Sequence, residues 1–191
     1  MLRVIGVNGS LRDGSHNGAL LRTAARLLPL DAALVELDGV SLVPPYDEGE
    51  DVVAPPPAVA AMRAALASAD AVLFSTPEYN SSIPGQLKNA LDWASRPFPA
   101  NALRGKPAAV IGASTGMFGA VWAQAELRKV LRTIGADVLD RELPVPFAHE
   151  RLDATGRLTD NELAADLADL LAALVARARP ADAAADLPIA V

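Results

Sequence analysis

The loop that spans residues 8–17 contains residue types that together bind a phosphate group. Ser10, Ser15 and Asn17 can each donate hydrogen bonds from their side chains, and Arg12 adds a fixed positive charge. A helical pattern follows directly, so free backbone N–H groups and the positive end of the helix dipole face the same loop. A monoester phosphate offers negative charge and several acceptor oxygens, with which arginine forms charge-assisted hydrogen bonds. The spacing therefore predicts an anion-binding turn.

Two well-known nucleotide-binding patterns are missing from this loop. It contains neither the GxGxxG fingerprint of dinucleotide-binding domains nor the GxxxxGK[ST] sequence of P-loop NTPases. The loop is therefore predicted to bind phosphate without belonging to either of these two classes of nucleotide-binding protein. The alternative is an ordinary strand-to-helix turn in which Ser15 only caps the helix.

A second loop has the composition of a slot for a flat heteroaromatic ring. Pro77 and Tyr79 follow a buried apolar run and can line the faces of such a slot. Glu78, Tyr79 and Asn80 can present backbone groups to the polar edge of the ring. The alternative for Tyr79 is a surface aromatic residue that only packs against its own loop.

A third loop, also after an apolar run, contains Ser114, Thr115 and Gly116. Small residues let backbone N–H groups approach a ligand closely, where they stabilise negative charge on a ring edge. Taken alone, this segment is equally compatible with a glycine-rich turn that binds nothing. The carboxyl ends of neighbouring parallel strands lie at one edge of a sheet, so the three loops together predict one shared pocket.

The elements that position these loops alternate between strand and helix patterns. Strands are predicted at 2–8, 33–37, 70–75 and 107–113 and within 137–145, and helices at about 17–28, 59–66, 84–94, 127–134 and from a capping box at 159–162. Residues 38–57 are predicted to be a long loop. The alternation predicts a three-layer α/β/α sandwich around a five-stranded parallel sheet. We favour the flavodoxin-like order 2-1-3-4-5 over a six-stranded Rossmann order because five strands can be counted.

Composition narrows the possible functions. The chain has 191 residues, of which 51% are hydrophobic, and a net charge of −6, which argues against nucleic acid or an anionic membrane as a partner. It has no cysteine, so disulfides, thiolate metal sites and cysteine redox pairs are excluded, and redox chemistry requires a bound cofactor. With His16 and His149 as its only histidines, no metal site is expected. Neither a signal-peptide pattern nor an apolar run of about 18 residues is present, so a cytoplasmic location is expected.

At these residues the chain resembles the NADPH-dependent FMN reductase family, which includes quinone, azo-dye and chromate reductases. The resemblance is carried by Gly-Ser-Leu-Arg at 9–12 with Ser15 and Asn17, by Pro-Glu-Tyr-Asn at 77–80, and by Pro-Gly, Leu-Lys-Asn-Ala and Asp-Trp at 84–93. A weaker match covers 119–128. The likeness extends over about residues 1–175, and the motifs are specific in combination.

The resemblance implies a flavodoxin-like fold with non-covalently bound FMN, and NADPH or NADH as the electron donor. It implies a ping-pong reaction that ends on a small-molecule acceptor, such as free flavin, a quinone, an azo compound or a metal oxyanion. It also implies a homodimer, in some members a homotetramer. No residue is predicted to be catalytic. The implied cofactor contacts are Ser10, Arg12, Ser15 and Asn17 for the phosphate, Pro77, Glu78, Tyr79 and Asn80 for the ring and ribityl chain, and Ser114, Thr115 and Gly116 for the polar edge of the ring.

One position departs from the family pattern, since many members have an arginine where this chain has Trp122. No role is carried over to it. Two other functions are compatible with parts of the sequence, a flavodoxin-type electron carrier without NAD(P)H oxidation and a nucleotide-binding regulator of a partner protein. The expected domain organisation is one FMN-binding domain over 1–179, followed by a disordered tail over 180–191.

Overall fold

Strand β1 (Leu2–Asn8) lies inside a parallel sheet in the computed structural model, which describes residues 1–153 and 155–179. It pairs with β2 (Ala32–Glu36) on one side and with β3 (Ala71–Thr76) on the other. Helices cover both faces of the sheet, and every residue of β3 is buried, as expected of a central strand of a doubly wound sheet.

The far half of the sheet is built on β4 (Pro107–Ala113), which pairs with β3. The predicted fifth strand is present as two short parts, β5 (Asp137–Val138) and β6 (Pro144–Val145), which pair with opposite ends of β4. Between them, residues 140–142 are charged and exposed, and they leave the sheet. The strand order β2-β1-β3-β4-β5 confirms the predicted flavodoxin-like order.

Seven helices are present among the described residues. They are α1 (His16–Leu27), α2 (Glu48–Val53), α3 (Pro57–Ala67), α4 (Gly85–Ala94), α5 (Val121–Ile134), α6 (Ala148–Arg151) and α7 (Asn161–Ala178). The sequence did not predict α2 or α6, because four to six residues are too few to show a helical period. The cap of α7 is Asp160, which accepts from the backbone N–H groups of Glu162 and Leu163, one residue beyond the predicted Thr159. The predicted tail at 180–191 lies outside the described residues.

Two apolar layers hold the sheet between its helices. On one face, Leu20 of α1 and Leu171 of α7 pack with Leu73 of β3. On the other face, Phe74 of β3 packs in the layer formed with α3, α4 and α5, where Trp93 is fully buried. Each such leucine or phenylalanine contributes about 1.5–3 kcal/mol when it is fully buried. Among the described residues, no helix combines the length and the apolar character that a bilayer span requires.

Side chains of α4 hold the segment that the sequence assigned to a loop at 38–57. Asn89 donates through Nδ2 to the carbonyl of Pro44 at 2.7 Å and accepts through Oδ1 from the N–H of Tyr46 at 2.7 Å. The indole Nε1 of Trp93 also donates to the Pro44 carbonyl, at 2.9 Å. The Tyr46 ring meets the Trp93 ring edge-on, with centroids 5.0 Å apart. The segment is therefore ordered against α4.

We expect Asn89→Ala to lower the free energy of unfolding by about 1–3 kcal/mol, because the backbone N–H of Tyr46 loses its half-buried partner. The matched control is Lys88→Ala on the same helix, which removes an exposed i,i+4 ion pair with Asp92. Such a pair contributes about 0.3–0.5 kcal/mol. Urea unfolding of both variants measures the difference, and equal losses would contradict the assigned role of Asn89.

Candidate functional site

The start of α1 presents unpaired donors at the carboxyl end of β1. Ser15 is the N-cap, and its Oγ accepts from the N–H of Gly18 at 3.0 Å and from Asn8 Nδ2 at 3.5 Å. Because Ser15 Oγ accepts both of these bonds, its own hydroxyl proton remains available to a ligand. The N–H groups of His16 and Asn17, the first two of the helix, have no partner within it. This end of α1 therefore has the donor geometry of an anion site.

The loop before α1 adds a hydroxyl and a cation. Ser10 is buried, and its Oγ accepts from the backbone N–H of Arg12 at 3.4 Å, so the Ser10 hydroxyl can also donate outward. The Arg12 guanidinium is exposed and has no carboxylate within ion-pair distance in the part of the chain that the structure describes. Gly14 has a φ of 65°, a left-handed conformation that brings the chain back to Ser15.

The side chain of Asn17 is used inside the protein. It is 2% exposed, and its Nδ2 donates to the carbonyl of Ala113 at 2.9 Å. Its Oδ1 accepts from Ser75 Oγ and from the N–H of Ala113, both at 3.0 Å. The amide thus joins the start of α1 to the ends of β3 and β4. What Asn17 offers at the mouth of the site is its backbone N–H.

Glu78, in the loop after β3, caps a helix that begins elsewhere in the chain. Its Oε2 accepts from the N–H of Trp122 at 3.0 Å and from that of Ala123 at 3.1 Å. The cap position of α5 itself is Ala120, which has a φ of 63° and no side chain able to accept a bond. The carboxylate of Glu78 therefore replaces the missing cap and ties its loop to α5.

The same loop contains a tight turn with unusual backbone angles. Tyr79 and Ser82 exchange two backbone hydrogen bonds, at 3.0 and 3.1 Å, around Asn80 and Ser81. Asn80 has a φ of 53° and Ser81 one of 61°, and a left-handed non-glycine residue costs about 1–3 kcal/mol. A bond of 2.6 Å from Ser82 Oγ to Glu126 Oε2 anchors the turn on α5. The conformation is held by contacts on both sides of the turn.

All three loops line one cavity of about 170 Å³. Of the predicted contacts, only Asn80 and Gly116 are absent from its lining. The predicted residues that line it are Ser10, Arg12, Ser15, Asn17, Pro77, Glu78, Tyr79, Ser114 and Thr115. His16 and Ala113, which were not predicted, line it as well. The volume is below the range of about 300–1,000 Å³ typical of whole-ligand pockets, so the cavity has room for only part of a larger ligand. Sequence reasoning missed His16, although its place as the first residue of α1 was a usable signal.

Burial holds the pKa of His16 below its ordinary value, and the positive charges of Arg12 and His149 lower it further. The chain's two histidines, one at α1 and one at α6, are thus close enough to influence each other. At neutral pH the imidazole of His16 is therefore largely uncharged. A nearby anion would favour protonation of the His16 imidazole and thereby place a positive charge in the cavity.

An apolar rim follows the third loop. Phe118 and Trp122 are 53% and 47% exposed, and their rings meet edge-to-face with centroids 4.8 Å apart. The N–H of Trp122 is bonded to Glu78, a residue of the cavity lining, so the pair lies beside the cavity. Gly119 fixes the turn, since a Cβ there would lie 2.6 Å from the backbone nitrogen of Val145. Two aromatic faces are consequently open to a ligand or a second protein.

Most of the chain is similar to known proteins. A family model described as NADPH-dependent FMN reductase matches residues 2–150. A Pseudomonas aeruginosa protein named NAD(P)H-dependent FMN reductase is 45% identical over 162 residues, which cover 84% of this chain and 86% of that protein. A 2-hydroxy-1,4-benzoquinone reductase from a Burkholderia species is 38% identical over 162 residues, 84% of this chain and 87% of the relative. The solved structure of FerB, a flavoenzyme NAD(P)H:(acceptor) oxidoreductase from Paracoccus denitrificans, has a TM-score of 0.82 and 35% identity, and covers 93% of this chain and 97% of FerB.

We expect Glu78→Ala to lower the free energy of unfolding by about 1–2 kcal/mol, because two amides at the start of α5 lose their cap. Hydrogen exchange at Trp122 and Ala123 should accelerate in the same variant. Glu78→Gln should recover most of the loss, since an amide oxygen still accepts both bonds and only the charge is removed.

The matched control is Glu162→Ala, in the first turn of α7, where Asp160 supplies the cap. This variant should lose only the smaller interaction of an exposed charge with the helix dipole. Unchanged exchange at the start of α5 in Glu78→Ala would contradict the capping role.

Proposed function

Because the chain belongs to the NADPH-dependent FMN reductase family, we propose that its three loops form the FMN site of an enzyme that reduces quinones. The predicted general activity, an NAD(P)H-dependent oxidoreductase with FMN as cofactor, is confirmed by this membership. Membership also favours the enzyme over the electron carrier and the regulator that the sequence left open. The proposal concerns the residues that hold the cofactor, the acceptor and the oligomeric state.

The donor set at the start of α1 fits the phosphate of FMN. Two hydroxyls, those of Ser10 and Ser15, accept bonds within the loop and keep their protons for a ligand. Arg12 supplies a positive charge, and the first amides of α1 add donors and the helix dipole. That one cavity collects these groups together with the predicted ring contacts is the observation that carries the proposal.

Bound FMN supplies the redox chemistry, because it can accept a hydride from NAD(P)H and return two electrons to a second substrate. The contribution of this chain is binding, orientation and electrostatics. Pro77 and Tyr79 would line the ring slot, and the amides of Thr115 and Gly116 would stabilise negative charge at the polar edge of the ring. Ser114 would border the same edge, but its backbone N–H is bonded to the carbonyl of Val145 at 3.1 Å. No side chain is assigned as an acid or base.

A quinone is the acceptor we propose, on two grounds. The Burkholderia relative is named for reduction of a benzoquinone. In this chain the exposed faces of Phe118 and Trp122 stand beside the cavity, and aromatic faces attract flat aromatic substrates. Metal oxyanions have no flat apolar surface, so they would gain nothing from this rim.

Replacement of Arg12 by alanine should weaken FMN binding by at least about tenfold, because a hydrogen bond to a charged group contributes about 1.5–3 kcal/mol. Quenching of flavin fluorescence on titration of the ligand-free chain measures the dissociation constant. Riboflavin, which lacks the phosphate, is the matched ligand and should bind both proteins alike. If Arg12→Ala binds FMN as tightly as the parent, the phosphate lies elsewhere.

We expect Phe118→Ala and Trp122→Ala each to lower kcat/KM for a naphthoquinone by about three- to tenfold, the effect of losing one aromatic contact. Ferricyanide, an acceptor that does not stack, should keep its kcat/KM in both variants. Leu42→Ala serves as control, because Leu42 is an apolar residue that is more exposed than either rim residue, at 73%, and is absent from the cavity lining. Parallel losses with both acceptors would contradict a role of the rim in quinone binding.

The homodimer implied by the resemblance is part of the proposal, and so is a cytoplasmic location. Sedimentation of the parent and of both rim variants tests whether the chain forms a homodimer. It also shows whether a change in acceptor kinetics results from a change in oligomeric state. If the rim variants dissociate into single chains, Phe118 and Trp122 form a contact between subunits instead of a quinone site.

A further inference from the structure

His16 lies at the start of α1, beside the residues that are predicted to bind the phosphate. Neither the sequence motifs nor the family resemblance assigned it a role. It is the first residue of α1 and lines the cavity beside Arg12 and Ser15. In the part of the chain that the structure describes, neither ring nitrogen of His16 takes part in a hydrogen bond, and the ring is half-buried. Its ring nitrogens are therefore available to a ligand.

We propose that His16 is a further ligand of the FMN phosphate, and that it takes up a proton when the phosphate binds. The inference rests on the proposed function, since it requires FMN in this cavity. Imidazole is the side chain whose ordinary pKa lies closest to neutral pH, so a neighbouring dianion can change its charge under ordinary conditions.

The charged groups around His16 come from three parts of the structure. Arg12 belongs to the same loop, as does Asp13. His149 lies on α6, with its Nε2 3.3 Å from the Oε1 of Glu150. Glu78, which shares the cavity lining, is bonded to the amides of α5. The positive charge of Arg12 thus opposes protonation of His16 until an anion enters the cavity.

The direction of the pH dependence follows from these charges. Without ligand, burial and the positive charge of Arg12 keep the pKa of His16 below its ordinary value, with a smaller contribution from His149. A phosphate dianion beside the ring favours the imidazolium and raises the pKa. Between the two pKa values His16 is neutral in the free protein and charged in the complex. The contribution of His16 to FMN affinity therefore grows as pH falls through the pKa of the complex, and stops growing below that of the free protein.

Titration of the histidine ring protons by NMR measures this directly on the full chain without a histidine tag. The chain has two histidines, so His149→Gln leaves a single imidazole and assigns the signals. The ligand-free, FMN-loaded and riboflavin-loaded proteins are compared. FMN should raise the pKa of His16 above the ordinary value of about 6.5, whereas riboflavin should leave it below that value. Equal pKa values in the two complexes would overturn the proposal.

Affinity gives a second measurement. His16→Gln should weaken FMN binding about tenfold near pH 5.5, where the imidazole of the complex is charged, and by less than about twofold near pH 8. The second ionisation of free FMN, near about pH 6, is the same for both proteins and cancels in the ratio of their dissociation constants, whereas the ionisation of the bound phosphate is coupled to His16 and is part of the measured effect. His149→Gln should change little at either pH. A weakening by His16→Gln that is equal at both pH values would overturn the proton uptake.

The outcomes separate this inference from the proposed function. Suppose that Arg12→Ala weakens the binding of FMN and leaves that of riboflavin unaffected, while FMN does not change the pKa of His16 and His16→Gln does not change FMN affinity. Then only the proposed role of His16 is wrong. If FMN binds no more tightly than riboflavin to the parent protein, the phosphate site itself is wrong. In that case the pKa of His16 should also be insensitive to FMN.

Discussion

The amide of Asn17 is the contact on which the geometry of the site depends. It exchanges two hydrogen bonds with the backbone of Ala113 and accepts a third from Ser75. These partners lie at the carboxyl ends of two adjacent strands, and Asn17 is the second residue of α1, so one buried side chain connects the first and third loops. Each buried donor or acceptor left unpaired would cost about 1–3 kcal/mol.

A second constraint, the carboxylate of Glu78, fixes the loop between them. With Glu78 bonded to the start of α5 and Ser82 bonded to Glu126, the turn at Asn80 and Ser81 is held from both ends. That support explains how two non-glycine residues keep left-handed angles. In both constraints the side chain bonds within the protein while the backbone of the same segment borders the cavity. Side chains hold the loops in place, and main-chain groups, hydroxyls and a few charged groups border the cavity.

The sequence was informative where signals are local. Apolar runs located β1, β3 and β4, and the alternation with helices gave the sheet order, because buried parallel strands and crossover helices each have a recognisable pattern. The division of the fifth strand was missed, since it depends on a bond from the N–H of Leu143 to Gln124, a residue on another element. The sequence also did not predict that the side chain of Asn17 bonds within the protein, because its partner Ala113 is 96 residues away in the chain. Motifs predicted most of the residues that line the cavity, and only the fold shows which atoms of each are bonded within the protein.

The charge of the chain places a further demand on this site. A protein with a net charge of −6 repels a dianion at long range, so attraction must come from within about 8 Å, the distance over which charges act at physiological salt. In the FMN site that we propose, Arg12 and the amides of α1 would supply this attraction locally. A permanently charged second cation beside Arg12 would repel it in the ligand-free protein. In the role that we propose for His16, an imidazole that stays neutral until the anion arrives would avoid that repulsion, and a histidine would therefore suit the first position of α1 better than a lysine.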